Sequence, residues 1–167
     1  MKIEIMGCPV DNVTMEEAIN QISQFVHEKT VHQGVAINAD KVIMAHKDHE
    51  IMEILRRTDL VYADGMPVIW ASYLLGKPLK ERVTGIDLFL RLAEHASKAN
   101  WRIYLLGARQ EVVEKTVEVL ESRFPGIIIA GYRNGYWALE QEEGVAQEIA
   151  RTKPDLLFVA ITSPKKE

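Results

Sequence analysis

The sequence predicts an α/β domain, a Rossmann-like and largely parallel sheet covered by helices on both faces. Short β-branched runs alternate with longer amphipathic ones along nearly the whole chain, the pattern of strands joined by crossover helices. With 167 residues, 47% of them hydrophobic, the length fits one domain with a substantial core, residues 1–167. No internal repeat, low-complexity tract or interdomain linker interrupts it.

Lys2 to Met6 reads as a first strand. Thr14 and Glu17 form a capping box, and behind it Ala18, Ile19, Ile22, Phe25 and Val26 share one helical face. Gly34 to Ile37 is a strand, Asp40 to Arg57 one helix, and Leu60 to Ala63 another short strand. Pro67 to Leu75 begins a helix with proline in the first turn, where its missing N–H is harmless. Gly76 to Thr84 is a polar, basic loop broken by Pro78. Ile86 to Lys98 is a helix with Thr84 and Asp87 as its cap pair. Arg102 to Leu106 is a strand, Gly107-Ala108 a turn, and Gln110 to Phe124 a helix stopped by Pro125-Gly126. Ile127 to Ala130 is a strand, Leu139 to Arg151 a helix, and Leu156 to Ile161 a last buried strand.

The formal net charge of −4 gives no reason to expect nucleic acid as a partner. Cys8 stands alone, so neither a disulfide framework nor a thiolate metal cluster is expected, and a reducing compartment fits. No apolar run approaches the ~18 residues needed to cross a bilayer, and no signal-peptide pattern follows Met1. A cytoplasmic setting is expected.

Open α/β sheets bind ligands beyond the carboxyl ends of their strands. Four polar groups occupy such turns: Asn38 and Asp40 after Ile37; Asp64-Gly65 after Ala63; Gly107, Arg109 and Gln110 after Leu106; and Thr162 and Ser163 after Ile161. Asp64-Gly65 reads by itself first as a tight turn, and second as a carboxylate at the mouth of a sheet. Gly107-Ala108-Arg109 reads as a plain turn or as an anion-holding helix start, but it is neither G-x-G-x-x-G nor a Walker A loop. Lys77, Lys80 and Arg82 face one acid, Glu81, and form either a solvated loop or a diphosphate clamp. Tyr132 to Trp137, YRNGYW, is a β-turn or loop rim whose aromatics either pack or stack on a base or sugar. His46 and His49, three apart among charged neighbours, read as one solvated helix face.

Taken in order, Asn38, ADGMPV around Asp64, RVTGID from Arg82, LLGAR ending at Arg109, GYRNGY from Gly131 and PDLLFVAITSPKKE at the end resemble the WecG/TagA/CpsF glycosyltransferase family. The match runs over nearly the whole chain. The resemblance implies an inverting transfer of N-acetylmannosamine from UDP-N-acetylmannosamine to undecaprenyl-diphosphate-linked N-acetylglucosamine, in wall teichoic acid linkage-unit synthesis. A related branch implies the corresponding uronic acid as donor sugar, and a non-catalytic nucleotide-sugar-binding or assembly module is the other reading.

On this resemblance Asp64 is the general base and Arg82 neutralises the departing UDP diphosphate. Asn38, Asp40, Thr84, Gly107, Arg109, Gln110, Tyr132, Gly135, Ser163 and Lys166 are implied in donor or acceptor binding. No D-x-D metal motif is present, so metal-independent chemistry without a cofactor is expected. Two segments depart from the family: Ala36 stands where Thr is usual, and near the end Thr162 stands where Gly is usual and Lys166 where Gln is usual, the lysine offering a cation to a phosphate. Stopping directly after a strand, the chain is expected to lack a C-terminal segment that would bring it to the inner face of the cell membrane. A homo-oligomer is expected as well.

Overall fold

The computed structural model describes residues 2–161. The predicted α/β class is what it shows, with parallel ladders and crossover helices. The chain folds as two compact units, one running through Leu88 and the other starting at Phe89.

The first unit opens with a hairpin absent from the sequence reading. Strand β1 (Lys2–Ile5) pairs antiparallel with β2 (Cys8–Asp11), from Lys2 opposite Asp11 to Ile5 opposite Cys8. Met6 and Gly7 make the two-residue turn with φ of 48° and 75°, the positive pair that fits the twist of a tight hairpin. Pro9, which disfavours a central strand, hid β2 from a pattern search. Cys8 and Val10 are fully buried, and burial pushes the Cys8 thiol pKa up. Asp11 ends β2 as a buried carboxylate and accepts the Val61 N–H at 2.9 Å, joining the hairpin to the next ladder.

Helix α1 (Met15–Glu28) begins at the predicted capping box, with Thr14 Oγ1 accepting from the Glu17 N–H and Glu17 returning the bond to the Thr14 N–H. Strand β3 (Gly34–Ile37) pairs in parallel with β4 (Leu60–Ala63), Ile37 opposite Ala63. The single helix expected between them is two, α2 (Ala39–Lys47) and α3 (His49–Arg57). Asp48 breaks it by leaving helical geometry at φ −128°, ψ 111°. Its N–H still closes α2 onto the Met44 carbonyl, while its carboxylate accepts the Glu50 N–H at 2.9 Å and starts α3. His46 and His49 therefore sit on different helices, and His46 Nε2 lies 2.8 Å from the Met6 carbonyl oxygen. Helix α4 (Met66–Leu74) carries Pro67 in its first turn as expected. The core joins Ile5, Val10, Ile37, Leu55, Val61 and Leu79 from the hairpin, the parallel pair, α3 and the loop after α4.

The unit boundary falls within α5 (Gly85–Ala99). In the second unit β5 (Arg102–Gly107) is the middle strand of a parallel ladder, between β6 (Ile128–Arg133) and β7 (Leu156–Ala160). Its side chains Ile103, Tyr104, Leu105 and Leu106 are buried, as a central parallel strand requires. Helix α6 (Gln110–Arg123) joins β5 to β6, and α7 (Glu142–Thr152) joins β6 to β7 after a 3-10 turn at Leu139–Gln141. Tyr104, Leu106 and Val145 form a small core with Trp137 and Ile149 against it.

Two expectations change here. Strand β6 runs on through Tyr132 and Arg133, so part of the aromatic segment assigned to a loop rim is ladder. Strand β7 is not buried: among the described residues it bonds β5 alone, and Leu157 and Val159 are exposed. A continuous apolar run marks a strand but does not say whether both its faces are covered.

Candidate active site

Each unit gathers some of the predicted residues, and parallel pairing is the cause. Because Ile37 lies opposite Ala63, the turns that follow β3 and β4 leave the ladder side by side. The Asp64 N–H bonds the Ile37 carbonyl at 2.8 Å, placing Asp64 next to Asn38. Asn38 is the N-cap of α2, its side-chain oxygen accepting the Lys41 N–H at 2.9 Å. Gly65 turns the chain away with φ +147°, a value that L side chains rarely adopt, and a Cβ there would stand 3.6 Å from that of Asn38.

The following loop closes the other side of Asp64. The Val83 N–H reaches the Ala63 carbonyl at 2.9 Å, so Arg82 and Thr84 flank a residue bonded to the end of β4. The Gly85 N–H donates to Asp64 Oδ2 at 3.0 Å from the first residue of α5. That amide belongs to the positive end of a helix and fixes one carboxylate oxygen. Among the described residues no hydrogen bond reaches the other oxygen, and Asp64 is half-buried. A fixed, partly exposed carboxylate is the geometry a proton acceptor needs.

Arg82 is exposed and makes no ion pair with a described residue, which leaves its guanidinium available to an anion. Its loop is nonetheless held: Lys80 N–H bonds Asn12 Oδ1 at 2.8 Å, Glu81 accepts the Met15 N–H at 2.9 Å, and Val83 is fully buried. Thr84 serves α5, its hydroxyl accepting the Asp87 N–H at 3.2 Å while donating to the Asp87 carboxylate. Asp40 lies exposed in the first turn of α2, where an acid favours the helix dipole.

Tyr62 and Lys41 were not singled out by the sequence reading. Tyr62 precedes Asp64 by two and so shares its side of the strand. Burial and then the Asp64 charge push the Tyr62 phenol up to about 12, so it stays a neutral donor at ordinary pH. A Cβ on Gly85 would lie 3.3 Å from Asp64 Oδ2 and 3.7 Å from the Tyr62 hydroxyl, so both groups crowd the start of α5. Lys41 is buried despite its charge, one turn beyond Asn38. Period-two spacing from Asp64 was the available signal for Tyr62; nothing in the pattern marked Lys41.

In the second unit, the turn after β5 meets the ends of β6 and β7. The Ala108 N–H bonds the Ala160 carbonyl at 2.8 Å, and the Gly135 N–H bonds the Ala108 carbonyl at 2.9 Å. Gly107 has φ +123°, and a Cβ there would stand 2.4 Å from the Ala160 oxygen. Gly135 is as confined, with its Cβ position 2.3 Å from an Ile161 methyl. Gly107 is thus required by close backbone approach, and Gly135 by the Ile161 side chain with the Gly107 Cα at 3.1 Å behind it.

Arg109 is the N-cap of α6 but offers no side-chain cap, leaving it exposed beside the helix start. Gln110 opens α6 and accepts from Asn134 Nδ2 at 3.0 Å, while Asn134 Oδ1 takes the Tyr136 N–H at 3.0 Å. Asn134, passed over in the sequence, therefore ties the YRNGYW segment to the helix start. Tyr132 is exposed on β6. Ser163 and Lys166 lie outside the described residues, as does Thr162. Among the described residues no three His, Cys, Asp or Glu are grouped to hold a metal ion.

Similar chains include the N-acetylglucosaminyldiphosphoundecaprenol N-acetyl-beta-D-mannosaminyltransferase of Bacillus subtilis, 35% identical over 98% of this chain and 63% of the relative. The protein of that name from Staphylococcus aureus is 33% identical over 99% of this chain and 65% of its own length. Another, from Bacillus spizizenii, is 40% identical over 68% of this chain and 44% of the relative. The chain thus spans less than two thirds of the length of these relatives. The family model of the glycosyl transferase WecG/TagA/CpsF family matches residues 3–167, and the chain belongs to that family.

Proposed function

We propose that the chain is the core of an inverting, UDP-sugar-dependent glycosyltransferase. It moves N-acetylmannosamine from UDP-N-acetylmannosamine to undecaprenyl-diphosphate-linked N-acetylglucosamine, the linkage step of wall teichoic acid. The relatives' shared name supports the sugar and the acceptor. The single observation that carries the catalytic assignment is the Asp64 carboxylate, held by the Gly85 amide at the end of β4 beside Asn38.

In this reading the acceptor hydroxyl loses its proton to the free oxygen of Asp64 while its own oxygen bonds the anomeric carbon. The bond from that carbon to the diphosphate breaks, and its electron pair leaves with UDP. Arg82, without a carboxylate among the described residues, meets the charge that grows on the diphosphate. Asn38 and neutral Tyr62 supply hydrogen bonds at the same strand ends. In the second unit, taken by itself, the Gly107–Gln110 turn with Arg109 at the start of α6 is suited to hold an anion. The chemistry proposed needs no metal or cofactor. The acceptor is a lipid, so the chain works at the inner face of the cell membrane.

UDP release with a soluble lipid-diphosphate acceptor analogue tests this. Asp64→Ala lowers turnover by about 10²-fold or more while UDP binding by calorimetry persists. Turnover unchanged by Asp64→Ala rejects the base assignment. UDP binding without turnover in the unaltered chain favours the nucleotide-sugar-binding module instead, a reading motivated by Ala36 and Lys166.

A further inference from the structure

Gly85 is a glycine that its backbone does not require. Gly7, Gly65, Gly76, Gly107 and Gly126 hold positive φ, and Gly85 does not. As the first residue of α5 it could be alanine, which favours a helix over glycine. What its bare Cα provides is room. A Cβ there would lie 3.3 Å from Asp64 Oδ2 and 3.7 Å from the Tyr62 hydroxyl. Its own helix and chain neighbours aside, that point meets no other described atom within 4 Å. Tyr62, Asp64 and Gly85 all belong to the first unit.

The two oxygens bordering this notch differ in what they can offer. The Asp64 carboxylate only accepts, and its Oδ2 already takes the Gly85 N–H at 3.0 Å, which leaves that atom a second lone pair. The Tyr62 phenol keeps its proton, because burial and then the Asp64 charge push its pKa up to about 12. Tyr62 is half-buried, and among the described residues its hydroxyl has no hydrogen-bond partner. A polar group so placed gains from a ligand that completes its bonding.

The pair selects the ligand group by its protons. A phosphate or carboxylate is repelled by Asp64. A carbonyl oxygen has no proton to give the carboxylate, and an ammonium leaves the phenol proton without an acceptor. A hydroxyl donates to Oδ2 and accepts from Tyr62 with one atom.

We propose that, on the transferase reading above on which this rests, the notch at Gly85 seats a second hydroxyl of the acceptor sugar beside the one that reacts. The reacting hydroxyl gives its proton to Asp64 Oδ1, while another hydroxyl of the same ring bonds Oδ2 and Tyr62. One carboxylate then holds two hydroxyls, so the group that takes the proton also orients the ring. Gly85 and Tyr62 are thereby specificity-determining residues for the acceptor.

The test uses a soluble N-acetylglucosamine-diphosphate acceptor analogue and its singly deoxygenated forms, each lacking one hydroxyl that does not react. Binding is read by calorimetry and transfer by UDP release. In the unaltered chain one deoxy form is weaker by about tenfold to hundredfold in both readouts. Gly85→Ala puts a methyl group in the notch and brings that ratio close to one. Tyr62→Phe removes the donor and cuts the ratio by about fivefold. Urea midpoints check that both variants fold, and the unaltered chain with Tyr62→Phe carries the test without Gly85→Ala.

A Gly85→Ala chain that is slower on every acceptor alike, with the ratio intact, has only displaced Asp64 and overturns the proposal. Equal binding of all the deoxy forms by the unaltered chain overturns it too and leaves the notch to water. Where the analogue binds but receives no sugar, the binding ratios still decide the subsite, and the transferase reading alone fails. Binding of UDP without binding of the analogue overturns both.

Discussion

Gly107→Ala adds one methyl group at a position the fold cannot enlarge. The new Cβ would lie 2.4 Å from the Ala160 carbonyl oxygen and 2.5 Å from its carbon, about 1 Å inside ordinary contact. Both atoms are backbone, so β7 itself must move. The Ala108 N–H bond to that oxygen, 2.8 Å long, is lost or stretched, at about 1–3 kcal/mol for polar groups left without partners. The φ of +123° adds about 1–2 kcal/mol of strain for a residue with a Cβ. Together these make roughly 2–5 kcal/mol. At about 1 kcal/mol per molar urea for a unit of this size, the unfolding midpoint of the second unit falls by roughly 2 M or more. The buried Trp101 reports it by fluorescence. Gly144→Ala is the control, since nothing stands within 4 Å of its Cβ position in α7 and replacing a helical glycine gains about 0.5–1 kcal/mol. A Gly107→Ala midpoint within about 0.5 M of the parent refutes the close-approach account, as does a shift of the same sign for Gly144→Ala.

Arg82→Ala is expected to lower kcat by roughly tenfold to hundredfold with a smaller rise in KM, because its contact strengthens as the diphosphate leaves; steady-state kinetics on UDP release reads the split. Asp11→Ala leaves the buried Val61 N–H without an acceptor and destabilises the first unit by about 1–3 kcal/mol in urea unfolding. Tyr62 carries an alkaline signature. Its folded pKa of about 12 exceeds the ordinary value of 10.0, so the folded chain holds the proton longer. The associated stability is present below pH 10 and is lost as pH rises toward 12, roughly 2–3 kcal/mol in all. Tyr62→Phe removes that loss, measured as urea midpoints across the range.

Local signals survived folding unchanged. The capping box at Thr14 and Glu17, Pro67 in the first turn of α4 and the Thr84–Asp87 cap depend on residues three apart or fewer, and all appear where read. The strand–helix alternation predicted parallel pairing, and β3–β4 and β6–β5–β7 follow it. Asp64 and Gly107 could be placed at strand ends because that needed only the end of an apolar run. The hairpin strand β2 escaped, since Pro9 reads against a strand unless its edge position is known. Asp48 looked like one more solvated residue on a helix until its side chain was seen to start α3.

What the sequence determined by itself was the order of elements and the chemistry available at each turn, because both follow from neighbours along the chain. Tertiary structure decided which groups meet. The Gly85 amide reaches Asp64 across 21 residues and the Asp11 carboxylate reaches Val61 across 50, and no periodicity encodes such pairs. The same holds for exposure. Leu156 to Ile161 reads as a buried strand and Pro67 to Leu75 as the start of a helix, yet Leu157 and Val159 on one and Trp70 and Leu74 on the other are exposed. Hydrophobicity states that a residue gains by leaving water, but only the packed fold determines which neighbours are there to cover it.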